Sequence, residues 1–169
     1  MLAARSQLMA AGKPRRPIVV KLAPDLAEAD LEPVIGVLAG RGVDGIAISN
    51  TTLSRLGVRD ASGRESGGLS GRPLFHRSTV MLARVYRLTR GAIPLIGIGG
   101  IDSGDTAIAK IEAGATLLQL YTGLVFEGPG LVARIKRELV HYAEQHNLAR
   151  IGEATGRRAE DWASRPLER

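Results

Sequence analysis

The chain has 169 residues, of which 44% are hydrophobic and 24% are charged, a balance that is typical of one globular domain and excludes a disordered chain. It contains no cysteine, which excludes a disulfide framework, a thiolate metal site and a cysteine nucleophile. The net charge is +6, but the basic residues are spread along the sequence and aromatic residues make up only 4%, so we expect no nucleic-acid partner. An anionic ligand or membrane surface remains compatible with this charge.

The hydrophobic pattern predicts four strand–helix units in tandem. Apolar runs predict strands over residues 17–22, 44–49, 95–98 and 116–120. Apolar residues at helical spacing follow each run, within residues 31–38, 74–85, 107–111 and 131–142. Strands that alternate with helices at this spacing predict a parallel sheet and an α/β fold.

Two segments depart from this alternation. The connection from Thr52 to Pro73 has no clear periodicity and is longer than most connections in compact domains. Its residues 67–71 predict a nest of backbone donors, with Arg55 and Arg64 placed to approach an anion, although a surface loop with Arg59 and Arg64 in solvent is an equally good interpretation. Residues 151–169 turn polar and arginine-rich, and we expect them to form a loosely ordered extension.

The sequence LIGIGGIDSGDTAIAKIEAGATLLQLYTG, residues 95–123, predicts a phosphate pocket. Gly99 and Gly100 end one strand, where glycine allows backbone N–H groups to face a ligand without an intervening Cβ. Tyr121, Thr122 and Gly123 follow the next strand. In a (β/α)8 barrel the loops after the seventh and eighth strands bind phosphate in this way. The alternative is that these glycines only form tight turns.

Residues suited to ligand binding follow all four predicted strands, and the carboxyl ends of parallel strands meet at one edge of a sheet. We therefore expect one shared site that includes Lys21, Ser49, Asn50, Thr51, Gly100, Tyr121 and Thr122. The three histidines, His76, His141 and His146, lack carboxylate neighbours at metal-ligand spacing, so no metal site is predicted.

Six motifs occur in a distinctive order: VKLAPDL, SNTT, GGLSGRPL, IGIGGIDSG, AGATLLQLYTG and FEGPGL. Over residues 17–140 this order resembles the C-terminal half of dihydroorotate dehydrogenase of class 2, the quinone-reducing type. The resemblance implies a (β/α)8 TIM barrel of which residues 1–150 supply about the last four βα units. It also implies that the upstream half of the barrel lies outside this sequence and is a required partner.

The resemblance implies an FMN-dependent oxidoreductase, a flavoprotein that oxidises dihydroorotate to orotate in de novo pyrimidine biosynthesis and passes the electrons to a quinone. Members of this class associate peripherally with the cytoplasmic side of the cell membrane through an N-terminal segment. No segment of this type and no other targeting segment is evident in the present sequence. Membrane association is therefore expected only through the absent half.

The resemblance also implies roles for particular residues. Those matching FMN-binding positions are Lys21, Ser49, Gly71, Gly100, Tyr121 and Thr122, with Ser49 standing where the family often has threonine. Asn50 and Thr51 match positions that hold the substrate. The serine that removes the substrate proton has no counterpart here, so we expect no catalytic base in this chain.

Two other functions remain open from the sequence. A different phosphate-binding barrel enzyme would account for the glycine turns, although not for Lys21, Asn50 and Thr51 together. A non-catalytic half barrel that serves as an assembly module would account for the missing upstream units.

Overall fold

The computed structural model describes residues 1–56, 58, 63 and 65–167, and its centre is a four-stranded parallel sheet. The strands are β1 (Val19–Leu22), β2 (Gly45–Ile48), β3 (Leu95–Ile98) and β4 (Leu117–Gln119), in the spatial order β1-β2-β3-β4. The register places Lys21 beside Ala47 and Ile96 beside Leu117. This arrangement confirms the predicted α/β class and is that expected of part of a (β/α)8 barrel.

Helices connect and flank the strands. They are α1 (Leu2–Ala10), α2 (Glu28–Gly40), α3 (Phe75–Thr89), α4 (Gly104–Glu112), α5 (Thr122–Glu127), α6 (Leu131–Gln145) and α7 (Ala159–Ala163). Single 3₁₀ turns occur at Arg72–Leu74 and Ile151–Ala154. Within the described ranges, no helix has the length and apolar character needed to cross a membrane.

The main core lies between the two central strands and α3. Ile46, Ile48 and Leu95 of the sheet are fully buried with Val80 and Leu82 of the helix. This burial explains why β2 reads as a continuous apolar run instead of an alternating one.

The two outer strands are exposed on alternate residues. Val19 and Leu117 leave 44% and 60% of their surface in solvent, although both belong to strands. Lys21 and Gln119 are exposed in the same alternation. One face of each outer strand is therefore uncovered, which is the state expected of barrel strands without their neighbours.

The C-terminal segment differs from expectation, since residues 151–167 are packed. Trp162, on α7, is 94% buried and contacts the ring of Phe75 edge-on, with a centroid separation of 6.0 Å. Arg84 of α3 donates hydrogen bonds to the backbone carbonyls of Ala163 and Arg165, at 3.2 and 3.0 Å. The prediction of a loosely ordered extension is therefore wrong over 151–167, because a few apolar residues anchor an otherwise charged segment.

Candidate functional site

A cleft of about 280 Å³ lies at the edge of the sheet where the four strands end. The eight predicted cofactor and substrate residues all line it: Lys21, Ser49, Asn50, Thr51, Gly71, Gly100, Tyr121 and Thr122. They come from all four strand ends and from the loop that precedes α3. Ser70, Gly99, Gln119 and Gly123 also face this cleft.

Lys21 supplies an unpaired cation to the cleft. It is the third residue of β1 and lies on the exposed face of that strand. Its ammonium forms no ion pair or hydrogen bond with any residue in the described part of the chain. The charge is therefore available to a ligand instead of being neutralised by a carboxylate of this chain.

In the segment after β2, the side-chain amide of Asn50 is exposed while the preceding residue, Ser49, is buried. Ser49 is 99% buried, and its hydroxyl donates a hydrogen bond to the carbonyl of Asn50 at 3.0 Å. The backbone N–H of Asn50 donates to the carbonyl of Leu22 at 3.1 Å and so continues the pairing of β2 with β1. Because the backbone is held in this way, the exposed side chain of Asn50 projects from a fixed position.

Asp25 braces this segment from the turn after β1. Its carboxylate accepts the hydroxyl of Thr52 at 2.5 Å and the N–H of Leu53 at 2.8 Å. Thr52 is also joined to Leu69 by two backbone hydrogen bonds, at 3.0 and 2.7 Å. No local signal in the sequence connects Asp25 to a threonine that lies 27 positions away.

The loop before α3 and the turn after β3 form a cradle with glycine walls. Gly71 and Gly100 have φ values of 79° and 72°, which other residues rarely adopt. A Cβ on Gly100 would lie 2.3 Å from the Cβ of Phe75, so only glycine fits there. Among the described residues, neither glycine N–H has a backbone hydrogen-bond partner, which leaves both available to an anion.

Thr122 closes the cradle from the opposite side. Its hydroxyl lies 2.8 Å from that of Ser70, and its methyl would be 3.2 Å from a Cβ on Gly71. A second cavity of about 450 Å³ shares Gly71, Gly100 and Thr122 with the first. The cradle thus stands at the junction of the two cavities.

Charged residues form a pair next to the cradle. Asp102 forms an ion pair with Arg72 at the rim of the larger cavity. Ser103 caps the start of α4, because its hydroxyl accepts the N–H of Thr106 at 3.3 Å. Sequence reasoning did not identify the Arg72–Asp102 pair, since its members are 30 positions apart.

Arg55 does not approach the cleft as the sequence suggested. Its guanidinium donates to the carbonyls of Glu65 and Gly67, at 2.9 and 2.6 Å, and therefore stabilises its own loop. Arg59 and Arg64, the other arginines considered for this loop, lie outside the described residues.

The histidines occupy other parts of the molecule. The His76 ring is 2.8 Å from the carbonyl of Pro166, and His146 stacks on Tyr142 with centroids 4.0 Å apart. The described residues contain no group of three or more His, Cys, Asp or Glu side chains placed to hold a metal ion.

Comparison with known proteins relates this geometry to one family. The family model for dihydroorotate dehydrogenase matches residues 2–142. Dihydroorotate dehydrogenase (quinone) of Chelativorans sp. is 48% identical over 163 residues, and the enzyme of the same name from Mesorhizobium japonicum is 48% identical over 152 residues. The crystal structure of ligand-free dihydroorotate dehydrogenase from Eimeria tenella has 35% identity and a TM-score of 0.81 over 90% of this chain.

The match covers most of this chain but less than half of each relative. The alignment covers 96% of this chain but 45% of the Chelativorans protein, and 89% of this chain but 42% of the Mesorhizobium protein. The chain also covers only 41% of the Eimeria structure. It therefore spans less than half the length of these relatives, as expected of a partial barrel. Over the matched length, the chain belongs to the dihydroorotate dehydrogenase family.

Proposed function

We propose that this chain is the flavin- and substrate-binding half of a quinone-type dihydroorotate dehydrogenase. The complete protein would oxidise dihydroorotate to orotate in pyrimidine biosynthesis, with FMN as its cofactor and a quinone as the final electron acceptor. The observation that carries this proposal is the single cleft lined by all eight residues that match family binding positions. Both bacterial relatives described above carry this activity in their names.

The cradle fits the phosphate of FMN. Gly71 and Gly100 leave N–H groups free among the described residues, Ser70 and Thr122 add two hydroxyls, and no carboxylate lines the smaller cleft. Backbone and hydroxyl donors of this kind bind a phosphate dianion without needing a local positive charge. We assign Gly71, Gly100, Tyr121 and Thr122 to this end of the cofactor.

Lys21 and Ser49 are assigned to the flavin ring. Bound FMN supplies a ring that accepts a hydride from dihydroorotate and becomes more negative as it does so. The unpaired ammonium of Lys21 would stabilise negative charge that develops nearby, because no carboxylate among the described residues neutralises it. Buried Ser49 holds the adjacent backbone in place, because its hydroxyl donates a hydrogen bond to the carbonyl of Asn50.

Asn50 and Thr51 are assigned to the substrate. An amide both donates and accepts hydrogen bonds, which matches the alternating N–H and C=O groups of a dihydropyrimidine ring. The braces at Leu22 and Asp25 fix this segment before the substrate binds. Because none of the serines here matches the proton-abstracting serine of the family, we assign the base to the other half of the barrel.

The partner that completes the site is the remainder of the barrel. The uncovered faces of β1 and β4 are the surfaces that this remainder would pack against, since exposed Val19 and Leu117 are apolar. Association with the cytoplasmic side of the cell membrane, through which a quinone is reached, is likewise assigned to the remainder.

The test uses a completed barrel, defined as this chain joined to the part of the Chelativorans relative that it does not match. We expect the purified protein to carry FMN, seen as flavin absorbance, and to form orotate when dihydroorotate and a soluble quinone are added. The chain alone should form none, because loss of general-base catalysis removes about 10² to 10⁴ in rate.

Two results would contradict the proposal. A folded completed barrel without flavin would favour another phosphate-binding barrel enzyme. A completed barrel that binds FMN but leaves dihydroorotate unchanged, while the full-length relative is active in the same assay, would favour a non-catalytic assembly module.

A further inference from the structure

Lys110 on α4 is a fully buried lysine that the proposed chemistry does not use. Its relative exposure is 0%, although lysine is among the residues most rarely buried. Its ammonium donates a hydrogen bond to the hydroxyl of Ser78 at 2.5 Å and lies 5.3 Å from the centre of the Phe75 ring. No carboxylate pairs with it in the described part of the chain, and burial holds the pKa of the ammonium well below its usual range.

The residues that Lys110 contacts lie at the start of α3. The hydroxyl of Ser78 donates to the carbonyl of Leu74 at 2.8 Å, within the first turn of the helix. The same hydroxyl is 3.4 Å from the carbonyl of Gly99. Lys110 is thus connected through one side chain to both the helix start and the turn after β3.

The same residues form the floor of the glycine turn. A Cβ on Gly99 would lie 2.8 Å from the Cδ2 of Leu74 and 3.1 Å from the Ser78 hydroxyl. A Cβ on Gly100 would lie 2.8 Å from the backbone nitrogen of Phe75. The turn is therefore packed against Leu74, Phe75 and Ser78, and the last two of these contact Lys110 directly.

We infer that Lys110 is a positioning residue for the phosphate cradle, acting through Ser78 and Phe75 to hold the Gly99–Gly100 turn against the start of α3. This inference depends on the proposed function for one point, which is that the ligand of the cradle is FMN. A purely structural role is a poor account, because an apolar side chain of the same length would fill this site without the cost of burying an amine.

The experiment compares Lys110→Met with Lys136→Met in the completed barrel, where Lys136 is an exposed lysine on α6. Methionine is one atom shorter than lysine, so it keeps most of the apolar contacts of Lys110 while it removes the hydrogen-bond donor. Ser78→Ala removes the hydroxyl that accepts this hydrogen bond, and so breaks the contact between Lys110 and Ser78 from the other side. The first readout is hydrogen exchange in the FMN-free protein, which requires no bound flavin.

We expect faster exchange in peptides that cover residues 72–82 and 95–103 for Lys110→Met and Ser78→Ala, and no change for Lys136→Met. The melting temperature of Lys110→Met should be equal to or above that of the parent, because a buried amine has been removed. Unchanged exchange, or faster exchange spread over the whole protein with a lower melting temperature, would overturn the inference. If Lys110→Met does not fold, Ser78→Ala decides by whether faster exchange is confined to these two segments, because this variant leaves the amine buried and its melting temperature should fall in any case.

The second readout compares FMN with riboflavin, which lacks the phosphate. Lys110→Met should weaken FMN binding by roughly tenfold to a hundredfold. This is the range expected if the displaced cradle loses one hydrogen bond to the charged phosphate. Riboflavin binding should change much less. Equal losses for both ligands would overturn the inference. If the parent protein binds neither, the proposed function fails, while hydrogen exchange still decides the role of Lys110.

Discussion

The carboxylate of Asp25 and the hydroxyl of Thr52 are joined by a 2.5 Å hydrogen bond that connects the turn after β1 to the segment after β2. The other oxygen of Asp25 accepts the N–H of Leu53 at 2.8 Å. Between these contacts and the end of β2 lie Asn50 and Thr51, the two residues assigned to the substrate. The pair therefore fixes the far end of the substrate segment, as the Leu22 carbonyl fixes the near end.

Loss of this brace is expected to impair substrate binding more than flavin binding. Thr52→Val removes the hydroxyl, so this Asp25 oxygen keeps only its 3.4 Å ion pair with Arg77, and the loss of one hydrogen bond to a charged group costs about 1.5 to 3 kcal/mol. We expect kcat/KM for dihydroorotate to fall in the completed barrel through a higher KM, with the flavin spectrum retained. Thr52→Ser is the matched control, because it keeps the hydroxyl and should keep most activity. Equal losses in both variants would contradict the assignment.

Lys21→Ala should separate flavin chemistry from flavin binding. The ammonium has no partner among the described residues, so its removal leaves no buried group unsatisfied. Since the phosphate end is held by the glycine cradle, FMN occupancy should remain high. The rate of flavin reduction, measured by stopped flow after mixing with dihydroorotate, should fall by about 10² or more, as for loss of one preorganised electrostatic contact.

The control for this variant is Lys136→Ala, which removes an exposed lysine on α6, away from the sheet edge. It should leave both occupancy and the reduction rate unchanged. An unchanged reduction rate in Lys21→Ala at full FMN occupancy would remove Lys21 from the flavin site.

Asn50→Ala should affect the substrate alone. The side-chain amide is exposed in the cleft, and its backbone is already held by Leu22, so the fold should tolerate the change. We expect the flavin spectrum to be intact and kcat/KM for dihydroorotate to fall by roughly 1 to 3 kcal/mol of transition-state binding. Gln145→Ala, which removes an exposed amide at the end of α6, should have no effect. A wild-type kcat/KM in Asn50→Ala would show that the substrate lies elsewhere.

Much of this site could be predicted because it depends on local patterns and one topological rule. The period of apolar residues placed β3 at 95–98, the range observed, and the other strands within two residues of their observed ends. The carboxyl ends of parallel strands meet at one edge, so Lys21 and Tyr121 were expected together although they are far apart in sequence.

The features that could not be predicted depend on pairs that only the folded chain brings together. Asp25 and Thr52 lie on different βα units, and the sequence does not indicate that Lys110 is buried against Ser78 of α3. The C-terminal segment was misjudged for a related reason. Its composition is polar and arginine-rich, while it is attached through buried Trp162 and through backbone hydrogen bonds from Gly156 and Arg158 to Ile111 and Glu112 of α4.

The importance of this attachment is tested by Trp162→Ala. Trp162 packs against Phe75, whose backbone nitrogen would lie 2.8 Å from a Cβ on Gly100, and its own indole N–H has no partner among the described residues. Loss of so large a buried side chain costs about 3 to 5 kcal/mol of the free energy of unfolding. Trp162→Phe should cost less, because it keeps most apolar contact and removes the unpartnered N–H. Urea denaturation of the completed barrel measures both, and equal stability of Trp162→Ala and the parent would show that this packing contributes nothing.

Asp44 lies just before β2, at the edge of the sheet opposite the cleft, and should make the stability of the folded protein depend on pH. Its carboxylate accepts the N–H of Ile18 at 2.7 Å and forms ion pairs with Arg15 and Arg5. The Ile18 hydrogen bond is the largest cause, with the arginines, that lowers the pKa of Asp44 to about 2. Since the folded-state pKa is below the unfolded value of about 3.9, this stabilisation is complete above about pH 5 and is lost as pH falls toward 2. Asp44→Asn should therefore be less stable than the parent at about pH 6, and the difference should shrink between about pH 5 and 2. Glu32→Gln, at an exposed carboxylate on α2, should not show this convergence, and parallel stability curves for Asp44→Asn and the parent would refute the assignment.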